Sequence, residues 1–256
     1  MAEAFNLNGR VAIVTGASRG IGRAIAEVYA RAGAKVALAS RKQDALDEAA
    51  EAICAGGGEA IGIAAHNGDR DALFALVDRT LSQFGRLDIL VNNAATNPHF
   101  GATLDAADSY WRKTIEVNLM GNVWLSQAAV QAMRRSGGGK IINVASIVGL
   151  TPGRNQGIYS ATKAAVISLT KTLAVELGSD NIQVNAIAPG LVQTKFAQAL
   201  WGNPDLLAPV LKRTPAGRIG QPQDMTGIAL FLAAPASDFT TGAVFVLDGG
   251  VSAQSI

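Results

Sequence analysis

Tyr159 and Lys163 stand four residues apart in Y-S-A-T-K. On a helix that spacing puts both on one face. A free phenol, with a pKa of about 10, is a poor acid or base at neutral pH. A neighbouring ammonium favours the phenolate and draws that value down. Proton transfer is most efficient when the group's pKa approaches the working pH. The pair therefore suits acid/base work at an oxygen, protonating a carbonyl or removing the proton of an alcohol. Ser146 comes thirteen residues earlier, at the end of the run N-V-A-S. A hydroxyl at the C-terminal end of a strand can donate to the reacting oxygen and hold it beside the phenol. An isolated Tyr-x-x-x-Lys is most often a helix-surface pair, so its surroundings decide its meaning.

A second group suits phosphate. The run V-A-I-V-T leads into T-G-A-S-R-G-I-G, Thr15 to Gly22. Gly16, Gly20 and Gly22, with Ser18, Arg19 and Ile21 among them, allow a tight turn and close backbone approach. The helix that follows offers free N–H groups and the positive end of its dipole to a pyrophosphate. Eighteen residues after Gly22, V-A-L-A ends at Ser40, Arg41 and Lys42. A dinucleotide fold reads the adenosine ribose about 20 residues past the turn, with Asp or Glu for a 2′-hydroxyl. Ser40 can instead donate to a 2′-phosphate, Arg41 can bind it by charge-assisted hydrogen bonds, and Arg19 can approach it. Lys42 adds field. A solvated helix start is the plainer alternative, but helix starts favour acids over two cations. The expected cofactor is NADP(H).

These residues need elements to hold them. Candidate strands are 10–15, 35–39, 60–64, 89–91, 140–144, 183–187 and 244–247. Most are continuously apolar, as strands buried on both faces are. Helical patterns lie near 21–32, 42–55, 70–84, 108–134, 158–177 and 222–233. The alternation predicts a parallel sheet with helices on both faces. No linker or repeat divides the 256 residues, so one catalytic domain, 1–256, is expected. Residues 191–220 break the rhythm with Pro204, Pro209 and Pro215, and read as an insertion that forms a substrate lid.

Composition narrows the classes. Hydrophobic residues make up 49% and charged residues 16%, which suits a large core. A net charge of +2 is too balanced for a nucleic-acid surface. No apolar run approaches the ~18 residues of a membrane span. Cys54 is the only cysteine, which excludes an internal disulfide, and it reads as a packing residue. His66 and His99 are the only histidines, and no metal site is expected. The opening M-A-E-A-F-N-L-N-G-R has no signal-peptide pattern. Cytoplasmic location is the expectation.

Taken together, the motifs resemble the short-chain dehydrogenase/reductase family over nearly the whole chain. They are T-G-A-S-R-G-I-G, V-N-N-A-A (91–95, with Ala95 in place of glycine), Asn118 in V-N-L-M-G-N, Ser146, Y-S-A-T-K, A-P-G (188–190) and D-G-G (248–250). The resemblance implies an α/β, Rossmann-like doubly wound sheet of seven strands in the order 3-2-1-4-5-6-7. It implies a hydride transfer in which Tyr159 is the acid/base and Lys163 also bonds the nicotinamide ribose. It assigns Asn118 to a water relay that returns protons to Lys163. Asn93, with Ala94 beside it, should reach the cofactor ribose region. Pro189 and Gly190 precede Val192 and Thr194, which should meet the nicotinamide carboxamide. The family binds adenine where this chain has His66-Asn67; the backbone of Asn67 is the safer contact, and His66 is either a contact or a loop histidine.

Residues 96–101, 147–157 and 191–201 should line the substrate pocket. Phe100, Phe196, Leu200 and Trp201 suggest a carbonyl or alcohol substrate with apolar bulk, though each suits lid or subunit packing as well. Within the family the chain is similar to NADPH-dependent carbonyl and retinal reductases of the peroxisomal type. Its Ala-Gln-Ser-Ile ending differs from their Ser-Lys-Leu-like tail, so peroxisomal location is not carried over. The alternatives are a 3-oxoacyl-carrier-protein reductase and a non-catalytic NADP(H)-binding sensor or scaffold. Arg134 and Arg135 could dock an acidic carrier, but Asp180 stands where a cation would help. Family members commonly form homotetramers through the last strand and the long helices, and the same is expected here.

Overall fold

The computed structural model describes residues 3–253; Met1, Ala2 and residues 254–256, most of the tail quoted above, lie outside them. The seven apolar runs become strands: β1 (Val11–Thr15), β2 (Lys35–Ser40), β3 (Glu59–Ala64), β4 (Ile89–Asn92), β5 (Gly139–Val144), β6 (Ile182–Pro189) and β7 (Val244–Leu247). They form one sheet in the order β3-β2-β1-β4-β5-β6-β7, and every pairing is parallel.

Successive side chains leave a strand on opposite faces, which explains why the runs lack polar alternation. Ala12 and Val14 of β1, with Val36 and Leu38 of β2, join one core. That core takes Ile25 and Tyr29 from α1 (Gly20–Arg31), Leu46 and Ile53 from α2 (Gln43–Ala55) and Leu232 from α9 (Thr226–Ala233). Ile13, Ala37 and Ala39 join the other. Its helices are α3 (Arg70–Phe84), α5 (Gly121–Arg135) and α6 (Gly157–Leu177). Tyr29 links distant parts: its hydroxyl donates to the carbonyl of Ala229 at 2.9 Å, and burial pushes the phenol far above its ordinary pKa.

Three stretches differ from the sequence pattern. The helix expected over 108–134 runs as α4 (Asp108–Ile115), a π turn (Glu116–Met120) and α5. At that turn the Gly121 N–H bonds Glu116 O, five residues back, instead of Val117 O. The helix expected over 222–233 opens as a 3₁₀ turn, Pro222–Met225. Residues 191–220 contain a 3₁₀ turn (Lys195–Ala197), α7 (Gln198–Trp201) and α8 (Pro204–Lys212). This excursion is closed at its base, where Gln193 N donates to Gly220 O and Gly220 N donates to Leu191 O.

Candidate active site

Parallel strands joined by helical crossovers bring all their C-terminal ends to one edge, where such sheets bind ligands. A cleft of about 1450 Å³ runs along that edge. It is lined by Gly16, Ser18, Arg19, Gly20 and Ile21 after β1, and by Ser40, Arg41 and Lys42 after β2. His66 and Asn67 follow from β3, Asn93 and Ala94 from β4, and Ser146 from β5. Pro189, Gly190, Val192 and Thr194 come from β6, and Tyr159 and Lys163 from α6. Gly22 and Asn118 do not line it: the first packs beneath the turn and the second is fully buried. The cleft does not take all of 96–101 either. Only Thr96 of that segment lines it, while Phe100 is half exposed elsewhere. Trp201 also stays off the wall and donates its Nε1–H to Thr194 O at 2.8 Å.

The glycine turn is held from below. Gly16 and Gly20 have φ of 64° and 61°, in the left-handed region where a side chain is strained. Gly22 has no room for one, since a Cβ there would fall 2.6 Å from Gly16 O. Asn93 Nδ2 donates to Thr15 O at 2.8 Å, so its amide braces the turn. Thr15, in sequence only the last residue of an apolar run, joins β1 to β4. Its Oγ1 donates to Val91 O at 3.2 Å and accepts from the N–H groups of Asn93 (2.9 Å) and Ala94 (3.0 Å). A hydroxyl closing an apolar strand was the available signal.

Arg19, Arg41 and Lys42 are exposed at the cleft, and among the described residues none has a carboxylate within 4.0 Å. His66 Nδ1 accepts from Gly68 N–H at 2.9 Å, and Nε2 lies 3.3 Å from Lys113 Nζ. Burial, then the charges of Lys113 and Arg41, lower its pKa and favour the neutral imidazole. Asn67 turns its side chain inward, and Nδ2 donates to Val117 O at 2.6 Å.

Ser146 Oγ is loosely held: it accepts from Val148 N at 3.3 Å and reaches Pro189 O only at 3.5 Å. It is free to turn onto a ligand. Lys163 Nζ donates to Val144 O at 2.6 Å and sits 5.6 Å from the centre of the Tyr159 ring. Burial lowers Lys163 to about 8 and raises the Tyr159 phenol above its ordinary value. The ammonium is near enough to help the phenolate, but in the chain alone desolvation is the larger effect. The Phe196 ring lies 5.8 Å from that of Tyr159, roofing the phenol. Asn118 is clamped: Oδ1 accepts from Thr96 N at 2.7 Å, and Nδ2 donates to Thr96 O (2.9 Å) and Thr162 Oγ1 (3.2 Å). Thr162 Oγ1 in turn donates to Tyr159 O at 2.9 Å.

A phosphate-rich dinucleotide fits these features. The turn gives backbone access at glycines that cannot carry side chains, and cations without carboxylate partners stand on the same wall. Among the described residues no His, Cys, Asp or Glu cluster could hold a metal ion, and no helix is long and apolar enough to cross a membrane.

Comparison with known proteins agrees. A family model described as Enoyl-(Acyl carrier protein) reductase matches residues 16–252. Dehydrogenase/reductase SDR family member 4 of Oryctolagus cuniculus is 38% identical over 97% of this chain and 95% of its own length. A putative gluconate dehydrogenase from Agrobacterium tumefaciens superposes with a TM-score of 0.95 at 34% identity, covering 99% of this chain and 100% of the other. A putative NAD(P)-dependent gluconate 5-dehydrogenase from Beutenbergia cavernae, described with bound NADP, gives 0.93 at 40% identity, covering 98% and 100%. With the sheet order, the glycine turn and the Ser146, Tyr159 and Lys163 set in place, the chain belongs to the short-chain dehydrogenase/reductase family of nicotinamide-dependent oxidoreductases.

Proposed function

We propose that this oxidoreductase is an NADP(H)-dependent carbonyl reductase that turns ketones or aldehydes into alcohols, with Tyr159 as general acid/base. The convergence of Ser146, Tyr159 and Lys163 in the cleft that also holds the glycine turn carries the reading. NADPH, when bound, supplies the hydride. Tyr159 gives its proton to the carbonyl oxygen, and Ser146 donates a hydrogen bond to the same atom. Lys163, at about 8, stays charged at pH 7 and lowers the cost of a phenolate beside it. Asn118 spends its side chain on Thr96 and Thr162, which leaves its backbone carbonyl for the water relay to Lys163.

Ser40, Arg41 and Arg19 hold the 2′-phosphate in this reading, and the NADP of the Beutenbergia protein supports it. Residues 191–220 close over the substrate as a lid. Phe196 and Leu200 on the cleft wall favour apolar bulk. Arg154, Lys195 and Arg213 also line the cleft, with no carboxylate within 4.0 Å among the described residues, and favour a second reading in which the substrate carries an acid group. A 3-oxoacyl-carrier-protein substrate is less well supported, because Arg134 is bound by Asp180 at 2.7 and 2.8 Å. We place the enzyme in the cytoplasm as a homotetramer that uses the β7 edge, where Val246 is 42% exposed.

The test is a panel of apolar ketones, oxo acids and carrier-protein thioesters, run in parallel with NADPH and NADH. NADPH oxidation with a ketone or oxo acid is expected. Binding of NADPH without turnover across the panel favours the sensor reading. Tyr159→Phe should remove turnover, and surviving activity would sink the acid/base assignment.

A further inference from the structure

The loop after β3 touches the reaction machinery as well as the cofactor cleft. Asn67 lines the cleft, yet it is 6% exposed and its side chain points into the protein. Nδ2 donates to Val117 O at 2.6 Å, and Oδ1 is buried with no hydrogen-bond partner among the described residues. Val117 O is the carbonyl whose ordinary helical donor, Gly121 N–H, is diverted to Glu116 O by the π turn. Asn67 supplies a replacement from fifty residues away. The fit leaves no slack. A Cβ on Gly121 would collide with the carbonyl and amide of Asn67, and one on Gly68 would collide with Glu116 at the turn's start.

The residue after Val117 is Asn118, whose amide clamps Thr96 and reaches Thr162, itself bonded to the carbonyl of Tyr159. A continuous set of bonds therefore runs from the adenine end of the cleft to the acid/base helix. An apolar residue of similar size at 67 would remove the orphan Oδ1 but leave Val117 O without its replacement donor, so the amide exchanges one unpaired oxygen for a bond at the turn. π turns recur where a helix serves a site.

We infer that Asn67 is a positioning residue: through Val117 O it fixes the π turn that sets Asn118, and so links the adenine-side loop to turnover. The inference rests on the proposed reductase reading and on the part played in it by Asn118. Asn67→Val and Asn67→Asp both remove the donor, and Gly121→Ala presses on the same contact from the other side. Each should remain folded by circular dichroism, and its loss in kcat should exceed any loss in NADPH affinity, followed by fluorescence. Each should lose at least tenfold in kcat. Asn67→Val combined with Asn118→Ala should be no slower than Asn118→Ala alone, because both act through one element. A role confined to packing would not produce that non-additivity.

Turnover of Asn67→Val within twofold of wild type would overturn the inference, as would a loss expressed only in NADPH affinity. Multiplying effects in the double variant, or an Asn118→Ala enzyme as fast as wild type, would do the same. If Asn67→Val does not fold, Gly121→Ala is read by the same criteria. A wild type that binds NADPH but reduces nothing in the panel defeats the reductase reading and this inference with it; an active wild type with unchanged variants defeats this inference alone.

Discussion

Lys163 is buried and held by Val144 O at 2.6 Å. Burial disfavours its charge and brings it from 10.5 to about 8. That interval corresponds to about 3 kcal/mol of folding free energy. Below pH 8 the lysine is charged in both the folded and unfolded chain, and the full cost of burying the ammonium applies. Above pH 10.5 it is neutral in both, and the cost is gone. Between those values the unfolded chain holds the extra proton, so the stability of the cofactor-free enzyme should rise with pH. Lys163→Met has no such titration. The difference in stability between wild type and variant should therefore shift toward wild type by about 2 kcal/mol from pH 7.5 to 10. The lost bond to Val144 O and the repacking add only a pH-independent offset. Tyr159 and Tyr29, both raised by burial, keep their protons in both folded proteins up to pH 10, so neither adds to the difference over this range. Urea unfolding at fixed protein concentration, at four pH values across that range, measures the difference. A flat difference would mean that the ammonium is not desolvated. The opposite slope would mean that an anion, with the Tyr159 phenolate first in line, already pairs with it.

Other perturbations probe the cofactor side. Ser40→Asp with Arg41→Ala replaces the proposed 2′-phosphate donors with an acid. Losing a charge-assisted bond worth about 1.5–3 kcal/mol and adding repulsion should lower kcat/KM with NADPH by roughly a hundredfold and favour NADH. An unchanged NADPH preference would place the selector at Arg19. Gly22→Ala forces a Cβ to within 2.6 Å of Gly16 O. It should weaken NADPH binding, read by fluorescence, and cost about 1–3 kcal/mol in urea unfolding.

The sheet was legible because burial on both faces makes each strand a short apolar run, and β1 and β2 show how one run feeds two cores. The grouping of Ser146, Tyr159 and Lys163 in one cleft was legible because the proposed acid/base chemistry restricts residue type and spacing. The π turn was not, since E-V-N-L-M-G has ordinary helical character and the fault lies in which donor Val117 O receives. The bracing roles of Asn93 and Thr15 were hidden for a related reason. Sequence shows that an amide or hydroxyl is present, while its partners are set by strands that meet only after folding. The raised phenol was also beyond reach, because spacing reports the nearness of Lys163 and says nothing of the water removed around both groups.

The bond from Tyr29 to Ala229 has a consequence for synthesis. The two residues are separated by 200 positions, so the buried hydroxyl emerges from the ribosome long before its acceptor. At ~5–20 residues per second the wait is on the order of 10–40 s. Throughout it, the α1 face that Leu232 and Ala233 later cover stays open to water and to other chains. Nascent chains halted before α9 should therefore be captured by holding chaperones, and release should coincide with the appearance of α9 itself.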